Sequence, residues 1–341
     1  VFPNDYRGGK RMKDDMIYGL LIHLGRNLWG DKNAADHVRC DEKVWNEITE
    51  HMADVGANML VIDLAEAMVY PSHTELAVKG SWSPEKMRGE IARLKSLGIE
   101  AIPKLNFSSC HDLWLGEYSR RVGSEEYYKV VSDVIRDTAE IFGKPRFMHL
   151  GWDEEKYKTM KSYQFVVIRQ GDLWWHDMLF TASEARKNGL RPWIWSDKEW
   201  MEKDDFFKKC PRDVVQSHWY YSPFFGEEWA KRNQAKMEKE ARDSWVENYT
   251  LCAFKELSDA GYDQIACGSN IYHRNNFHDV VDHCLKHVDP KRLLGFLQAP
   301  WGEVKRPDAV NGDGERGKYL DAVAQLAGAM GQVRRWRERY A

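Results

Sequence analysis

The chain lacks a charge imbalance, a long apolar run and a paired cysteine motif, and each absence excludes a class of protein. Its 50 lysines and arginines nearly balance its 53 aspartates and glutamates, for a net charge of −3, which argues against a polybasic nucleic-acid binder. No apolar run reaches the roughly 18 residues of a membrane-spanning helix, so we predict none. The six cysteines form no Cys-x-x-Cys pair, which disfavours a zinc ribbon and favours free thiols.

Aromatic residues, and tryptophan above all, stand out against this balanced composition. The chain holds 15 Trp, 15 Tyr and 13 Phe among its 341 residues. A buried indole N–H needs a hydrogen-bond partner, so tryptophan often lies where a flat apolar face meets a polar edge. Sugars are one class of ligand that such amphipathic faces bind. With 43% hydrophobic residues, the chain is also able to bury a sizeable core.

The start of the chain bears on where the protein is located. The first residue is Val1 rather than Met, and no signal peptide is visible. This fits a mature or trimmed form, and we expect an extracytoplasmic protein, either periplasmic or secreted. We expect a carbohydrate as its partner, and neither a nucleic acid nor a membrane.

One pattern recurs along the chain: a short apolar strand, a polar loop and an amphipathic helix. The strands begin about 39 residues apart on average, somewhat above the roughly 30 residues of a minimal βαβ unit. Eight such units predict an α/β fold, a TIM (β/α)8 barrel formed by a single catalytic domain over residues 1–341. A stretch rich in Lys, Glu and Arg at 225–257 predicts a long helical insertion after strand six. The predicted strands cover residues 17–24, 58–64, 99–106, 146–151, 190–196, 213–219, 262–268 and 293–299.

The predicted helices carry the usual start signals. Residues 83–97 open with Ser83, an N-cap residue, followed by proline at the first helical position. Residues 41–55 place apolar side chains at helical spacing. The stretches 124–142 and 172–188 are similar, so a helix is expected after most strands.

Polar and aromatic side chains follow nearly every predicted strand. In a TIM barrel the active site lies at the C-terminal ends of the strands, so these side chains converge on one rim. Three of the tryptophans could instead cap the core, and Arg26 could instead be a buried ion-pair partner. The rim residues that we expect to bind substrate are Arg26, Glu66, His149, Trp152, Trp195, Asp197, Trp219, Tyr272, Trp301 and Glu303.

Two adjacent carboxylates, Asp153 and Glu154, directly follow the fourth strand. Glycoside hydrolysis needs an acid that protonates the leaving oxygen and a second group that stabilises the oxocarbenium-like centre. Mutual repulsion and a neighbouring tryptophan would raise the pKa of one carboxylate, which suits a general acid. The alternative is that the Asp-Glu-Glu run begins a helix and complements its dipole. Tryptophans at four rim positions favour the catalytic interpretation.

The run from His149 to Glu154 resembles the H-x-G-G-D-E signature of the β-N-acetylhexosaminidases of glycoside hydrolase family twenty. The resemblance implies that Arg26 holds sugar hydroxyls and that Tyr272 contacts an acetamide group. Segments similar to that family extend along nearly the whole barrel: the first strand with Arg26, Ile102-Pro103 with the nearby His111, Trp195-Ser196-Asp197, Tyr272, and Trp301-Gly302-Glu303.

The same resemblance implies a mechanism. Glu154 would be the general acid/base, and Asp153 would orient and stabilise the substrate's own 2-acetamido group. That group acts as nucleophile in place of an enzyme carboxylate, which is a known exception to the two-carboxylate rule. The implied reaction is hydrolysis of a glycan at a β-linked N-acetylhexosamine or related sugar, with retention of configuration.

The chain departs from the family pattern at several supporting positions. Trp152 replaces the second glycine of the signature, and Lys104 and Asn106 replace an acidic pair on the third strand. His23 stands where the first strand of the family carries Asp, and Asp63 stands where its second strand carries His. We therefore expect a divergent member.

Histidines near several predicted strand ends raise the question of a metal, since barrel metallohydrolases use such residues. The first strand lacks the H-x-H pair that would present two imidazoles to one ion. We predict no metal and no cofactor. Two alternatives stay open: a metal-dependent TIM-barrel hydrolase, and a non-catalytic barrel that binds glycans in the same aromatic cleft.

Overall fold

Eight parallel strands close into a barrel in sequence order, which confirms the predicted TIM barrel. The computed structural model describes residues 16–25, 34–223, 225, 251–306 and 314–340. Every predicted strand is present, although β4 and β6 are only three residues long. The strands are β1 (Ile17–His23), β2 (Met59–Asp63), β3 (Glu100–Lys104), β4 (Phe147–His149), β5 (Arg191–Trp195), β6 (Val215–Ser217), β7 (Gln264–Gly268) and β8 (Leu293–Gln298).

Helices surround the barrel, and the four predicted ones differ from the observed ones by about one residue at each end. Within the described residues, 3₁₀ helix occurs at Ala65–Ala67, Thr74–Leu76 and Leu113–Arg120, the last interrupted by a kink at Gly116. The described α-helices are α1 (Glu42–Val55), α2 (Pro84–Ser96), α3 (Glu125–Ile141), α4 (Tyr157–Met160), α5 (Gly171–Lys187), α6 (Asp197–Met201), α7 (Lys203–Lys209), α8 (Ala253–Asp259), α9 (Asn276–His287) and α10 (Gly314–Tyr340).

Side-chain caps explain where the first helices begin. Asp41 accepts hydrogen bonds from the backbone N–H groups of Lys43 (2.9 Å) and Val44 (3.2 Å) at the start of α1. Ser83 accepts one from the N–H of Lys86 (3.2 Å) at the start of α2. Each cap satisfies a backbone donor that the first helical turn leaves without a partner.

The barrel interior is apolar at its centre and charged where the strands end. Leu21, Val61 and Trp193 belong to the interior cluster of fully buried side chains. At the C-terminal ends of β2 and β3, the Nζ of Lys104 donates to Oδ2 of Asp63 at 2.7 Å, and both side chains are at most 1% exposed. This buried ion pair lies under the rim on which the candidate site is built.

Most of the predicted helical insertion at 225–257 lies outside the described residues. The described part includes the beginning of α8, which precedes β7. Among the helices that the structure describes, none is both long and apolar enough to cross a membrane.

Candidate active site

The loop after β4 has an unusual backbone that presents two adjacent carboxylates. Gly151, Trp152 and Glu154 all have positive φ, at 75°, 73° and 56°. A Cβ at Gly151 would lie 1.9 Å from Oδ1 of Asn106, so only glycine fits there. The tight turn allows both Asp153 and Glu154 to approach His111.

His111, on the loop after β3, contacts both carboxylates. Its Nε2 lies 3.5 Å from Oδ2 of Asp153 and 3.5 Å from Oε2 of Glu154. Burial by itself would lower the pKa of His111, but Cys110 and Asp153, together with a hydrogen bond to Glu154, raise it well above its usual value. The acidic surroundings of His111 therefore favour its protonated form.

Asp153 is held by groups that leave little freedom to its side chain. The amide of Asn106 donates to its Oδ1 at 2.7 Å. The Oγ of Ser108 and the thiol of Cys110 (3.3 Å) donate to its backbone carbonyl. Asp153 is only 8% exposed, so this carboxylate is oriented by the protein rather than by solvent.

Glu154 is the more accessible acid, with a side chain that is 18% exposed. Its backbone N–H donates to Oδ2 of Asp197 at 3.0 Å, and the indole of Trp219 donates to Oδ1 of the same carboxyl group at 2.7 Å. Burial, together with the charges of Asp153 and Glu154, raises the pKa of Asp197 to about 8. Asp197 is therefore protonated at neutral pH, which limits the negative charge in the cluster.

An aromatic wall stands beside these carboxyl groups. Trp219 stacks on Tyr221 with ring centroids 5.1 Å apart and an angle of 28° between planes. The indole of Trp301 donates to the Tyr221 hydroxyl at 2.9 Å. Trp301 also contacts Trp195, with centroids 5.8 Å apart. These rings come from the ends of β5, β6 and β8, so the barrel rather than one loop assembles the wall.

The placement of Trp152 in the substrate pocket is corrected by the structure. Its indole is 1% exposed, donates to Oγ1 of Thr181 at 3.0 Å and packs against Trp174. Both partners belong to α5, so the ring lies between the barrel and its helices. The guanidinium of Arg169 lies over the Trp152 ring, 4.4 Å from the ring centre.

His149 is also buried, which corrects its expected contact with substrate. It is fully buried at the end of β4, packed between Trp193 and Trp195 at centroid distances of 4.8 and 4.5 Å. Burial and the charge of Lys104 lower its pKa well below the usual value. His149 is a neutral ring under the site. Trp195, which we also expected to bind substrate, is buried as well, with 1% of its surface exposed.

The remaining predicted binding residues are dispersed. Tyr272 is 65% exposed after β7, and Glu66 is 2% exposed in the first 3₁₀ helix. Glu303 forms ion pairs with Arg39 (3.1 Å) and Lys305 (3.2 Å). Arg26 lies outside the described residues. Roles for these four side chains stay predictions.

Sequence reasoning missed the side chains that hold the loop after β4 in place. Arg169 is 1% exposed, and its guanidinium donates to both oxygens of Glu155 at 3.0 and 2.7 Å. Glu155 also accepts from the backbone N–H of Ser109 at 3.0 Å, and Arg169 donates to the carbonyl of Phe107 at 2.6 Å. The third acid of the Asp-Glu-Glu run therefore ties the loops after β3 and β4 together. The sequence signal for this role was the position of Glu155 as the third acid of that run.

The same site has the donors that a metal ion would need. Single ligand atoms of His111, Asp153 and Glu154 all lie within 4.8 Å of one another, the one such group found in the described parts of the chain. Imidazole and carboxylate ligands suit Zn²⁺ and related ions. The arrangement is therefore compatible with acid–base chemistry and with metal binding.

Beneath the site, three of the positions that depart from the expected family pattern form one buried cluster. Nδ1 of His23 lies 3.1 Å from Oδ2 of Asp63, which also accepts from Lys104. Burial opposes ionisation of Asp63, but the charges of Lys104 and His23 lower its pKa well below the usual value. The three residues form a self-compensated unit at the ends of β1, β2 and β3.

Comparisons with known proteins identify the architecture. No family model matches the chain, and no curated protein matches it significantly in sequence. Among solved structures, it is similar to the GH20 exo-β-N-acetylglucosaminidase of Vibrio harveyi (16% identity, TM-score 0.55), covering 91% of this chain and 54% of that one. It is also similar to dispersin B (14%, TM-score 0.58, 91% of this chain and 98% of that one). A third is the GH20 β-N-acetylhexosaminidase of Streptomyces coelicolor A3(2) (11%, TM-score 0.58, 90% and 63%).

The chain thus spans about half the length of the Vibrio harveyi enzyme and nearly all of dispersin B. At these identities the comparisons show a shared fold, and function has to be argued from the site. The protein has the (β/α)8 barrel fold that these glycosidase structures share.

Proposed function

We propose that the protein is a glycoside hydrolase of the β-N-acetylhexosaminidase type, a divergent relative of family twenty. One observation carries the proposal: Asp153 and Glu154 lie side by side at the rim, each 3.5 Å from His111. The similar folds of solved hexosaminidases support it. Neither the sugar nor the mechanism follows from fold similarity, so both are argued from the residues.

Glu154 is the proposed general acid/base. It is the more exposed of the two carboxylates, and a general acid must reach the glycosidic oxygen. In the first step its proton passes to the leaving oxygen as the bond to the anomeric carbon breaks. In the second step the resulting carboxylate takes a proton from water, which attacks the same carbon.

Asp153 is proposed to act on the substrate's 2-acetamido group. Its Oδ1 is fixed by Asn106, and its Oδ2, which also faces Nε2 of His111 at 3.5 Å, is proposed to accept the amide N–H of the sugar. Orienting that amide places its carbonyl oxygen against the anomeric carbon, and the negative charge of Asp153 balances the oxazolinium cation that forms. Two displacements at one carbon retain its configuration.

Asp197 and the aromatic wall complete the proposed site. Because Asp197 has a pKa of about 8, it is neutral when Glu154 works, and it holds the Glu154 backbone and the Trp219 indole. Trp219 and Trp301 are proposed to stack against sugar rings. Contacts from Arg26, Glu66, Tyr272 and Glu303, and an extracytoplasmic location, are proposed on the sequence alone.

Substitution of Glu154 by Gln tests the proposal. We expect hydrolysis of chitobiose to fall by about a hundredfold or more, the usual contribution of a general acid. Hydrolysis of p-nitrophenyl N-acetyl-β-glucosaminide should fall less, since its leaving group needs less protonation. Glu140→Gln, at an exposed position on α3, is the matched control and should behave as wild type. Wild-type turnover of chitobiose by Glu154→Gln would overturn the assignment.

A metal-dependent hydrolase is the second candidate, because His111, Asp153 and Glu154 bring three ligand atoms together. Exhaustive chelation distinguishes the two. We expect the activity on chitobiose to persist, since an acid–base pair requires no ion. Loss of activity, with recovery when zinc is added, would establish the metal-dependent reaction instead.

A further inference from the structure

The last two turns of α10 contribute no side chain to the core. The buried side chains of this helix run from Tyr319 to Val333, and none of the seven residues at 334–340 is buried. At 1.5 Å per residue these seven residues form about 10 Å of helix. We call residues 334–340 the helix end.

The helix end concentrates positive charge in a chain that is nearly neutral. Its seven residues include four arginines and one acid, Glu338, whereas the whole chain has a net charge of −3. Arg334, Arg335 and Arg339 are exposed, and they form no ion pair with any residue that the structure describes. Their guanidinium groups are therefore available to an anionic partner.

Two aromatic rings lie together on the same side of the helix end. Trp336 and Tyr340 are one turn apart, with ring centroids 4.2 Å apart and an angle of 40° between planes. Tyr340 is 64% exposed. Because 3.6 residues make a turn, Arg335 and Arg339 both lie on one flank of this pair of rings. The helix end thus presents aromatic surface with guanidinium groups beside it.

The helix end lies on the face of the barrel opposite the candidate active site. Near the start of α10, the Tyr319 hydroxyl donates to the carbonyl of Gly302, after β8, at 2.7 Å. Further along, the sulfur of Met330 lies 4.0 Å from where a Cβ on Gly56, just before β2, would be. The helix therefore runs from the rim to the N-terminal ends of the strands, and a partner at the helix end leaves the rim free.

We propose that the helix end is a docking surface for an acidic polysaccharide, whose carboxylates bind Arg335 and Arg339 and whose sugar rings stack on Trp336 and Tyr340. The planar guanidinium fork matches a carboxylate through two parallel hydrogen bonds. Aromatic faces suit the apolar faces of pyranose rings. A long polymer held there keeps its other segments near the barrel and raises their effective concentration at the rim.

The composition of the helix end favours a polysaccharide over other polyanions. Proteins that bind nucleic acid through its backbone typically contact about 6–10 phosphates, more than four arginines can neutralise. A helix that lies on a membrane buries a broad apolar face, whereas the helix end has two aromatic side chains and no aliphatic one. The choice of a polysaccharide also rests on the proposed function, in which the rim cleaves a glycan.

Polygalacturonate and its fully methyl-esterified form test the proposal, because they share a backbone and differ in charge. Neither contains an N-acetylhexosamine, so the proposed active site has no substrate in them. Each polymer is attached to a biosensor and titrated with the full chain. We expect wild type to bind polygalacturonate at least about fivefold more tightly than the ester, as expected for a few exposed ion pairs. The preference should shrink as NaCl is raised, because salt screens exposed charges.

A double variant, Arg335→Gln with Arg339→Gln, should abolish that preference. Arg121→Gln with Arg146→Gln is the matched control, which removes the same charge from arginines that already pair with glutamates, and it should keep the preference. Tyr340→Ala should weaken binding of both polymers, since both present sugar rings. Each of these side chains is exposed, so we expect every variant to fold.

Equal affinity for the two polymers, or equal losses in the two double variants, would overturn the proposal. Tighter binding to phosphatidylglycerol vesicles or to duplex DNA, at equal concentrations of anionic groups, would replace the polysaccharide with a membrane or a nucleic acid and overturn it too. None of these measurements needs turnover. A protein that binds polygalacturonate through the helix end but does not hydrolyse chitobiose would refute the proposed function and leave the docking surface intact.

Discussion

Trp152 occupies a backbone conformation that favours glycine. Its φ of 73° is in the left-handed region, which costs a residue with a Cβ about 1–2 kcal/mol. The glycine expected there from the hexosaminidase signature would avoid that cost. In this chain the indole is buried against Trp174 and hydrogen-bonded to Thr181, and that packing offsets the strain. The exchange of a glycine for a tryptophan is thus structural, and it leaves the neighbouring acids in place.

Restoring the glycine should therefore destabilise the protein. Trp152→Gly removes strain of about 1–2 kcal/mol but deletes a buried tryptophan, which typically costs about 3–5 kcal/mol. We expect the free energy of unfolding to fall by roughly 1–4 kcal/mol in urea denaturation. Trp152→Phe keeps the strain and most of the apolar burial and should lose less. A glycine variant as stable as wild type would show that the indole packing contributes little.

Asp153 provides the prediction that most directly concerns the mechanism. A thiazoline mimic of the cyclised acetamido intermediate should bind tightly, since it resembles the state that the site is proposed to stabilise. Asp153→Asn keeps the side-chain shape but removes the charge that balances the oxazolinium ring. We expect its affinity for the thiazoline to fall by about tenfold or more in calorimetry. Tight binding by the variant, or turnover of sugars that lack the acetamide, would contradict the substrate-assisted route.

The side chains that sequence analysis located correctly are those fixed by strand ends. Asp153 and Glu154 follow β4 closely in the sequence. Their position at the rim was therefore predictable whatever conformation the loop adopts. The direction of the Trp152 ring was not, because it depends on a positive φ that the residue type disfavours. His149 looked like a rim residue, but it ends a three-residue strand and points into the packed interior.

At the scale of elements, two loops and the side chains that join them position Asp153 and Glu154. Arg169 comes from the segment before α5, and it holds Glu155 and the carbonyl of Phe107. Strand and helix bounds were predictable from apolar periodicity, caps and glycines. The cross-link through Arg169 was not predictable. Nothing in the sequence around Arg169 specifies that it pairs with Glu155, a carboxylate 14 residues away.

Arg169→Lys tests that cross-link with the charge retained. Lysine is a point donor and cannot hold both oxygens of Glu155 and the Phe107 carbonyl in one plane. We expect kcat on chitobiose to fall by about tenfold with little change in KM, because a misplaced acid affects the transition state more than binding.

Arg186→Lys is the matched control for this variant. Arg186 holds Asp213 through two hydrogen bonds (2.6 and 2.8 Å), ahead of β6 at the opposite end of the barrel. The Arg186→Lys substitution should leave kcat unchanged. Equal effects of the two variants on kcat would mean that Arg169 acts through general stability alone.

At the scale of the whole molecule, the fold buries carboxyl groups that it keeps protonated. Asp197 in the site has a pKa raised to about 8, and so does Glu199, two residues further along. For Glu199 the causes are complete burial and the neighbouring Glu256. A carboxyl group in an unfolded chain has a pKa of about 4, so the folded protein binds more protons than the unfolded chain between these values. Stability must then fall as pH rises from about 4 to about 8 and level off above that value.

Glu199→Gln isolates this effect outside the proposed catalytic residues. Because its folded pKa is raised, the stability that depends on protonated Glu199 is complete below about pH 4 and is lost as pH rises from there to about 8. We expect wild type to lose roughly 1 kcal/mol per pH unit through this group between about pH 5 and 8, with little further loss above that. Glutamine cannot ionise, so the variant should show a shallower decline and exceed wild-type stability at pH 9, measured by urea denaturation at several pH values. Asp197 and His111 titrate in both proteins and cancel in the difference, so parallel stability curves would show that Glu199 is not held protonated by its burial.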